Sequence, residues 1–285
     1  MNKSRFFTIS IFLAMILSLA GPSFGVAARP LAASAPNLGA AGSFSVLGFA
    51  AVTNTGPSTL SGDLGVWSGS SITGAASITV TGATHQTDSV AQQAQSDATA
   101  ADGSLTGQAS TSSLGALDSV NVGPGVYDLG AGSLGGGVLT LDGAGVYIFR
   151  TTSDLTTSGS ISLINGARAC DVYWHVASQA NLVGGSFVGT IIAGTGIVFG
   201  TNVSLNGRAL AIGGPVTMDS NSITGPSCAA AATTTQSSVS GLPSTGGAPI
   251  RGDTFPWGPM VALGFATIAL VLGMLAFRRT HLPKQ

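Results

Sequence analysis

The side chains able to move a proton, hold a metal or attack a bond are few and scattered in this sequence. Between residues 29 and 228 there are two histidines (His85 and His175), two cysteines (Cys170 and Cys228) and ten aspartates, with no lysine or glutamate. Hydrolysis or elimination at a saccharide requires carboxylates that converge, often with a basic partner. Here the acids are single residues: Asp63, Asp88, Asp97, Asp102, Asp118, Asp128, Asp142, Asp154, Asp171 and Asp219. A metal site requires His, Cys or Asp companions at close spacing, and the two histidines are ninety residues apart. His85 sits at the entrance of a helical segment, where a local hydrogen bond is the expected role. His175 follows Tyr173-Trp174 in a strand, as a packed or surface residue. Arg208 is expected to reach Asp219 or a turn carbonyl. The glycine clusters Gly135 to Gly137 and Gly213-Gly214 follow no strand-to-helix pattern that would cradle phosphate. The expectation is a protein that is not an enzyme, with no catalytic residue, no metal and no cofactor.

Charge points the same way. Charged residues make up 7% of the 285-residue chain, against about a quarter in ordinary globular proteins. Between the two ends the bases are Arg29, Arg150, Arg168 and Arg208, so ten acids against four bases leave about −6. Nucleic-acid binding needs clustered Lys and Arg to displace counterions, and that class is excluded.

The elements that must position any functional surface lie between two processing signals. Lys3 and Arg5 precede the apolar run Phe6 to Ala20 and then small residues, the order of a secretory signal peptide over residues 1–28, with removal expected near Ala28. Residues 256–277 (PWGPMVALGFATIALVLGMLAF) carry no charge, and Arg278, Arg279 and Lys284 follow in the basic tail 278–285. This predicts a transmembrane helix with a positive cytoplasmic stop. Residues 229–241 (AAAATTTQSSVSG) are low in complexity and read as a stalk. Residues 29–228 remain as the folded domain. Its two cysteines, exported to an oxidising compartment, are expected to form one disulfide, Cys170 to Cys228.

Within that domain, FSVLGFAAVTN, STLSGDLGVW and SITVTG are short strand-like segments punctuated by turn residues. HQTDSVAQQAQSDATAA changes texture and predicts one α-helix over about 86–101, capped by Thr87 or Asp88. Val90, Ala94, Ala98 and Ala101 share its inner face. So small a stripe requires close approach to a neighbour. Farther on, Ser186-Phe187-Val188-Gly189, Ser204-Leu205-Asn206-Gly207 and Ser222-Ile223-Thr224-Gly225 recur every 18 residues, and Ala193 and Ala211 keep the offset. Gly125-Val126-Tyr127 and Gly145-Val146-Tyr147 lie 20 apart, and Val172-Tyr173-Trp174 is similar. This period suits one coil of a β-solenoid, with Phe187 over Leu205 over Ile223 on the inward ladder.

The ordered set LGAAGSFSVLGFAAVTNTG, SGDLGV, SITG, THQTDSVAQQAQ, GPGVYD, GVYIFR, ACDVYWHVAS, GTIIA, NGRALA and VTMDSNSIT resembles the ice-binding protein-like domain family over roughly residues 38–228. The resemblance implies a mainly β fold, a discontinuous right-handed β-helix of triangular section with one α-helix alongside. It also implies ice binding on a flat face of outward short side chains. The candidates for that face are Thr53, Thr55, Thr195, Gly196, Val198 and Thr217. Two assignments stand side by side. Strand alternation turns Gly196, Val198, Pro215 and Thr217 outward, whereas a strict 18-residue register stacks Val198 on Val216 inside and leaves Thr195, Ile197 and Phe199 outside.

Leu242-Pro243-Ser244-Thr245-Gly246, followed by the apolar span and terminal arginines, is similar to the sorting signal of Gram-positive-type surface proteins. That implies cleavage by a sortase between Thr245 and Gly246, transfer of Thr245 to cell-wall peptidoglycan, and a domain at the cell surface, with the membrane held through the C-terminal helix. Arg251-Gly252-Asp253 falls in the spacer after the motif and is read as coincidental. The other functional class is a surface adhesin that holds a polysaccharide or another cell instead of ice.

Overall fold

The computed structural model describes residues 32–130, 132–226 and 228. The signal segment 1–28, the stalk 229–241, the motif 242–246 and the span 256–277 lie outside the described residues. Among the described residues no helix is long and apolar enough to cross a membrane.

Every strand pairing in this part is parallel, in sheets of twelve, seven and three strands. Successive turns of the chain stack on one another, which is why short β-branched segments separated by Gly, Ser and Asn suffice: each coil buries its inward side chains on those of its neighbours. Phe187 pairs with Leu205 and Leu205 with Ile223, and all three are buried. Ser186 and Ser204 keep the 18-residue step, with their hydroxyls 3.0 Å apart.

Upstream the step is longer, and the Gly-Val-Tyr copies are not equivalent rungs. Gly125 pairs with Tyr147 and Tyr127 with Phe149, which pairs in turn with Trp174. The result is an aromatic column through the core. Ring centroids lie 5.5 Å apart for Tyr127 and Phe149, 4.3 Å for Phe149 and Trp174, and 4.8 Å for Trp174 and Phe187. Trp174 Nε1 donates to the Val188 carbonyl at 2.9 Å, so its one polar group is satisfied inside.

The coils do not stack in chain order. In the seven-stranded sheet the order is Gly132–Leu134, Leu155–Thr157, Gln179–Leu182, Gly196–Phe199, Val216–Asp219, then Ala51–Thr55 and Ser71–Thr73. The first coil therefore docks on the last, through Leu47 on Leu210, Val52 on Val216 and Leu60 on Ile223. The helix lies in the connection that makes this discontinuity.

Helix α1 spans Ser89–Thr106, later at both ends than 86–101. Asp88 is its N-cap, accepting from the Ala91 amide at 2.8 Å. At the other end Leu105 is buried, and the Arg150 guanidinium donates to the carbonyls of Leu105, Thr106 and Gln108. These contacts carry the helix past Gly103 and bring a cation to its negative end. The buried stripe is Ala91, Ala94, Gln95, Ala98, Ala101 and Leu105. Val90, expected inside, is 42% exposed, because the 3.6-residue period seats Ala91 one position on. The stripe packs on Leu47, Val126, Ile148, Tyr173, Ile192 and Leu210 of the large sheet.

Candidate functional site: the outer face of the seven-stranded sheet

Alternation along each short strand sends every second side chain out. In Gly196–Phe199, Ile197 and Phe199 are buried and Val198 is partly exposed; in Val216–Asp219, Val216 and Met218 are buried, and Thr217 is partly exposed. In Ala51–Thr55, Val52 and Asn54 turn inward and Ala51, Thr53 and Thr55 outward. The pairings then join one outward residue from each strand into a single row. It runs Ser133, Thr156, Asn181, Val198, Thr217, Thr53, Thr73. Rungs of such a row are about 4.8 Å apart.

The row has no charged member, and its only apolar one is Val198. Beside it, Thr55 pairs with Asp219 and Ala51 with Ser71. The Asp219 carboxylate is held by the hydroxyls of Thr201 and Ser220. Gln179 donates to Asn181 at 2.6 Å, fixing the longer amides along the surface. On the inner side Asn54 accepts from Ser58 and donates to the Gly56 carbonyl and Ser77, so this buried amide anchors the strand that carries Thr53 and Thr55.

The alternation assignment therefore holds on this sheet, and the strict 18-residue stacking does not: Val198 pairs with Thr217 and Ile197 with Val216. Of the six candidates, Thr53, Val198 and Thr217 are neighbouring rungs, and Thr55 is next to them on the same side. Thr195 is exposed in the corner before its strand, and Gly196 is buried, where a Cβ would stand 3.0 Å from the Pro215 carbonyl oxygen. Ser71, Thr73, Ser133, Thr156 and Asn181 were not among the expected residues. Their strands are three or four residues long, too short for alternation to be read without knowing their partners.

The proton-bearing groups are engaged elsewhere. His85 Nδ1 is 2.7 Å from Asp88 at the helix entrance, and His175 Nδ1 is 2.6 Å from Asp102 on the helix. Arg208 donates to the Gly42 carbonyl at 2.8 Å, the turn-carbonyl alternative, and to Thr190. Asp118 accepts from the amides of Gly135 and Gly137, which hold its carboxyl below the ordinary range. Among the described residues no group of three or more His, Cys, Asp or Glu is placed to hold a metal.

Cys170, in the 3-10 turn Ala169–Asp171, and exposed Cys228 are close enough to share a hydrogen bond, yet both are free thiols. The Cys170 thiol also turns toward Asp171 Oδ1 at 3.9 Å. Burial, and then the bond with Cys228, push its pKa up to about 12, so it is held as the thiol.

The described part is thus a mainly β fold of parallel sheets, with one helix against the large sheet and a row of short uncharged side chains on the outer side of another. The Ice-binding-like family model matches residues 46–224, and the chain belongs to that family. It is 40% identical over 220 residues to the ice-binding protein of Nostoc sp. (strain HG1), covering 74% of this chain and 81% of the relative. Among solved structures it is similar to an ice binding protein from an Antarctic Biological Consortium, at 33% identity and a TM-score of 0.67 over 70% of this chain and 94% of that one. The ice-binding protein of the Antarctic ascomycete Antarctomyces psychrotrophicus gives 36% identity and a TM-score of 0.64, over 67% and 98%.

Proposed function

We propose that this protein binds ice through the outer row Ser133, Thr156, Asn181, Val198, Thr217, Thr53 and Thr73. The observation that carries the reading is the in-register stacking of seven outward side chains, six of them uncharged hydrogen-bonding groups. Ice is a periodic ligand without charge, and recognising it requires periodic, short, uncharged contacts. Charged or long side chains would hold water in other arrangements. Family membership and two ice-binding relatives more than 35% identical to this chain support the same reading. We read the scaffold as a right-handed β-helix of triangular section, which gives the row a flat setting.

The test is ice-affinity partitioning and thermal hysteresis of the full-length chain, with Thr217→Tyr as the blocked face. Enrichment in the ice fraction and shaped crystals are expected, with both reduced in the variant. Unaltered crystals at high protein concentration, with retention on wall glycans instead, would replace this reading with that of an adhesin.

The setting we infer is the cell surface. After removal of residues 1–28, a sortase cleaves Leu242-Pro243-Ser244-Thr245-Gly246 and joins Thr245 to peptidoglycan, the span 256–277 holding the chain in the membrane until then. Recovery of the domain in a muramidase-solubilised wall fraction, and its loss from that fraction on Thr245→Ala, tests this. In the exported chain Cys170 and Cys228 form a disulfide, closed by a thiol–disulfide oxidant of that compartment. Intact mass without reductant, lower by two hydrogens than with it, is the expected result.

A further inference from the structure

The row depends on one corner of the chain that lies outside it. Five coils in succession lead from the large sheet into the seven-stranded sheet, through the paired residues Arg150, His175, Ile192, Leu210 and Leu47. They arrive at Leu155, Ala180, Ile197, Val216 and Val52, again mutually paired. Four of the corners hold the same number of residues: 151–154, 176–179, 193–196 and 48–51. The corner 211–215 holds one more.

That residue is absorbed as a bulge. The Gly214 carbonyl accepts from two consecutive amides of the first coil, Phe49 at 3.0 Å and Ala50 at 3.1 Å, so the two chains are locally out of step by one. There is no room for side chains at the bulge. A Cβ at Gly213 would stand 2.1 Å from the Gly194 carbonyl oxygen, and one at Gly214 would stand 1.4 Å from that of Thr195. The next corner gives the residue back. Val198 and Thr217 pair, as do Ser204 and Ser222, but residues 199–203 separate the first members and only 218–221 the second. Asn221 fills the shortened corner. Its side chain accepts from the Asp219 amide and donates to the carbonyls of Gly200 and Val203, while its own amide donates to Ser58.

The excess therefore acts on one strand, Val216–Asp219, and on nothing after it. In a strand a shift of one residue exchanges the two faces. We propose that the Gly213-Gly214 bulge sets the parity of this strand, turning Thr217 outward between Val198 and Thr53 and burying Val216 and Met218. Gly213 and Gly214 are thus positioning residues for the face, acting through Thr217. Were this sequence to close the corner over four residues without the bulge, Pro215 would take the place of Val216 opposite Ile197, Val216 and Met218 would face solvent, and the row would be interrupted at its centre.

This inference rests on the ice-binding reading for its consequence, but its geometry can be tested apart from ice. Single cysteines at Thr217 or Met218 are placed in full-length chain carrying Cys170→Ser and Cys228→Ser, and their labelling by a polar maleimide is timed. With the native corner Thr217→Cys labels fast and Met218→Cys slowly. Gly214→Val, for whose side chain the bulge has no room, is expected to reverse that order and to abolish ice partitioning. Deletion of Gly213 leaves four residues between Leu210 and Val216, as in the other corners, and is expected to keep the native order and the partitioning. Unchanged labelling order in Gly214→Val with a cooperative melt would overturn the proposal, as would reversal of the order by the deletion. If Gly214→Val prevents folding, the deletion and Gly214→Ala, expected to label Thr217→Cys more slowly than the native corner, decide alone. Should the native chain fail to partition into ice, the labelling order still reports on the bulge, and only the functional reading falls.

Discussion

Two outer surfaces of this domain begin from the same strand alternation and end differently. On the large sheet the outward residues Leu47, Ile148, Tyr173, Ile192 and Leu210 are apolar, and α1 covers them with alanines. On the seven-stranded sheet the central outward row is Thr, Ser, Asn and one Val, and its members stay partly or fully exposed. The helix contributes only small side chains, so the sheet supplies the bulk of that interface. What an outward position holds thus reports whether it will be covered, and the uncovered surface is free to be selected for its pattern instead of its burial.

Substitutions on each side should separate these two uses. The largest loss of stability is expected on the covered side: Ile192→Ala removes a fully buried side chain under the helix and should cost roughly 2–5 kcal/mol in urea unfolding. Ice partitioning per folded molecule should not change. Ala98→Leu adds volume to the same interface, where Ala98 is 0% exposed, and is expected to cost about 1–3 kcal/mol.

A smaller effect is expected at the helix entrance. The Ala91 amide, and then His85, hold the Asp88 carboxyl below its ordinary pKa. Its contribution is therefore complete above the unfolded carboxylate range and is lost as pH falls through the lowered folded value. Asp88→Asn should flatten the acid limb of the thermal midpoint while leaving the neutral midpoint nearly unchanged. On the bare side Thr53→Tyr should move stability by no more than about 0.5 kcal/mol and yet remove most of the thermal hysteresis. Equal losses of stability and activity in all four variants would erase the distinction.

Much of the covered side was legible in the sequence. The alanine-rich stripe announced a close helix, and the 18-residue echo placed Phe187, Leu205 and Ile223 on one inward ladder, as found. Ala94, Ala98 and Ala101 are buried as expected, and only Val90 is misplaced, because it is more apolar than Ala91 and hydropathy alone favours the wrong neighbour. Thr53, Val198 and Thr217 were expected on the row, but Ser133, Thr156, Asn181 and Thr73 were not. The order in which Thr53 and then Thr73 follow Thr217 depends on the first coil docking beside the last, and no local pattern records a pairing across such a distance. The register of Thr217 itself turned on the bulge, an added residue that the repeat conceals because the following corner removes it.

Docking of the first coil on the last also has a temporal meaning. Ser222 and Thr59, joined by their hydroxyls at 3.3 Å, are 163 residues apart in the chain. Contacts of such separation carry the largest loop-closure cost and slow folding. The segment from Phe44 to Leu60 leaves the ribosome early but finds its edge partners only once residues 204 to 223 have followed. Until then it is paired on one edge alone, with Asp63–Val66, Ser71–Thr73 and Ile78–Val80, and a chain stopped short of the last coil would leave its other edge open for good. Maturation of this domain is therefore timed by the arrival of its C-terminal end.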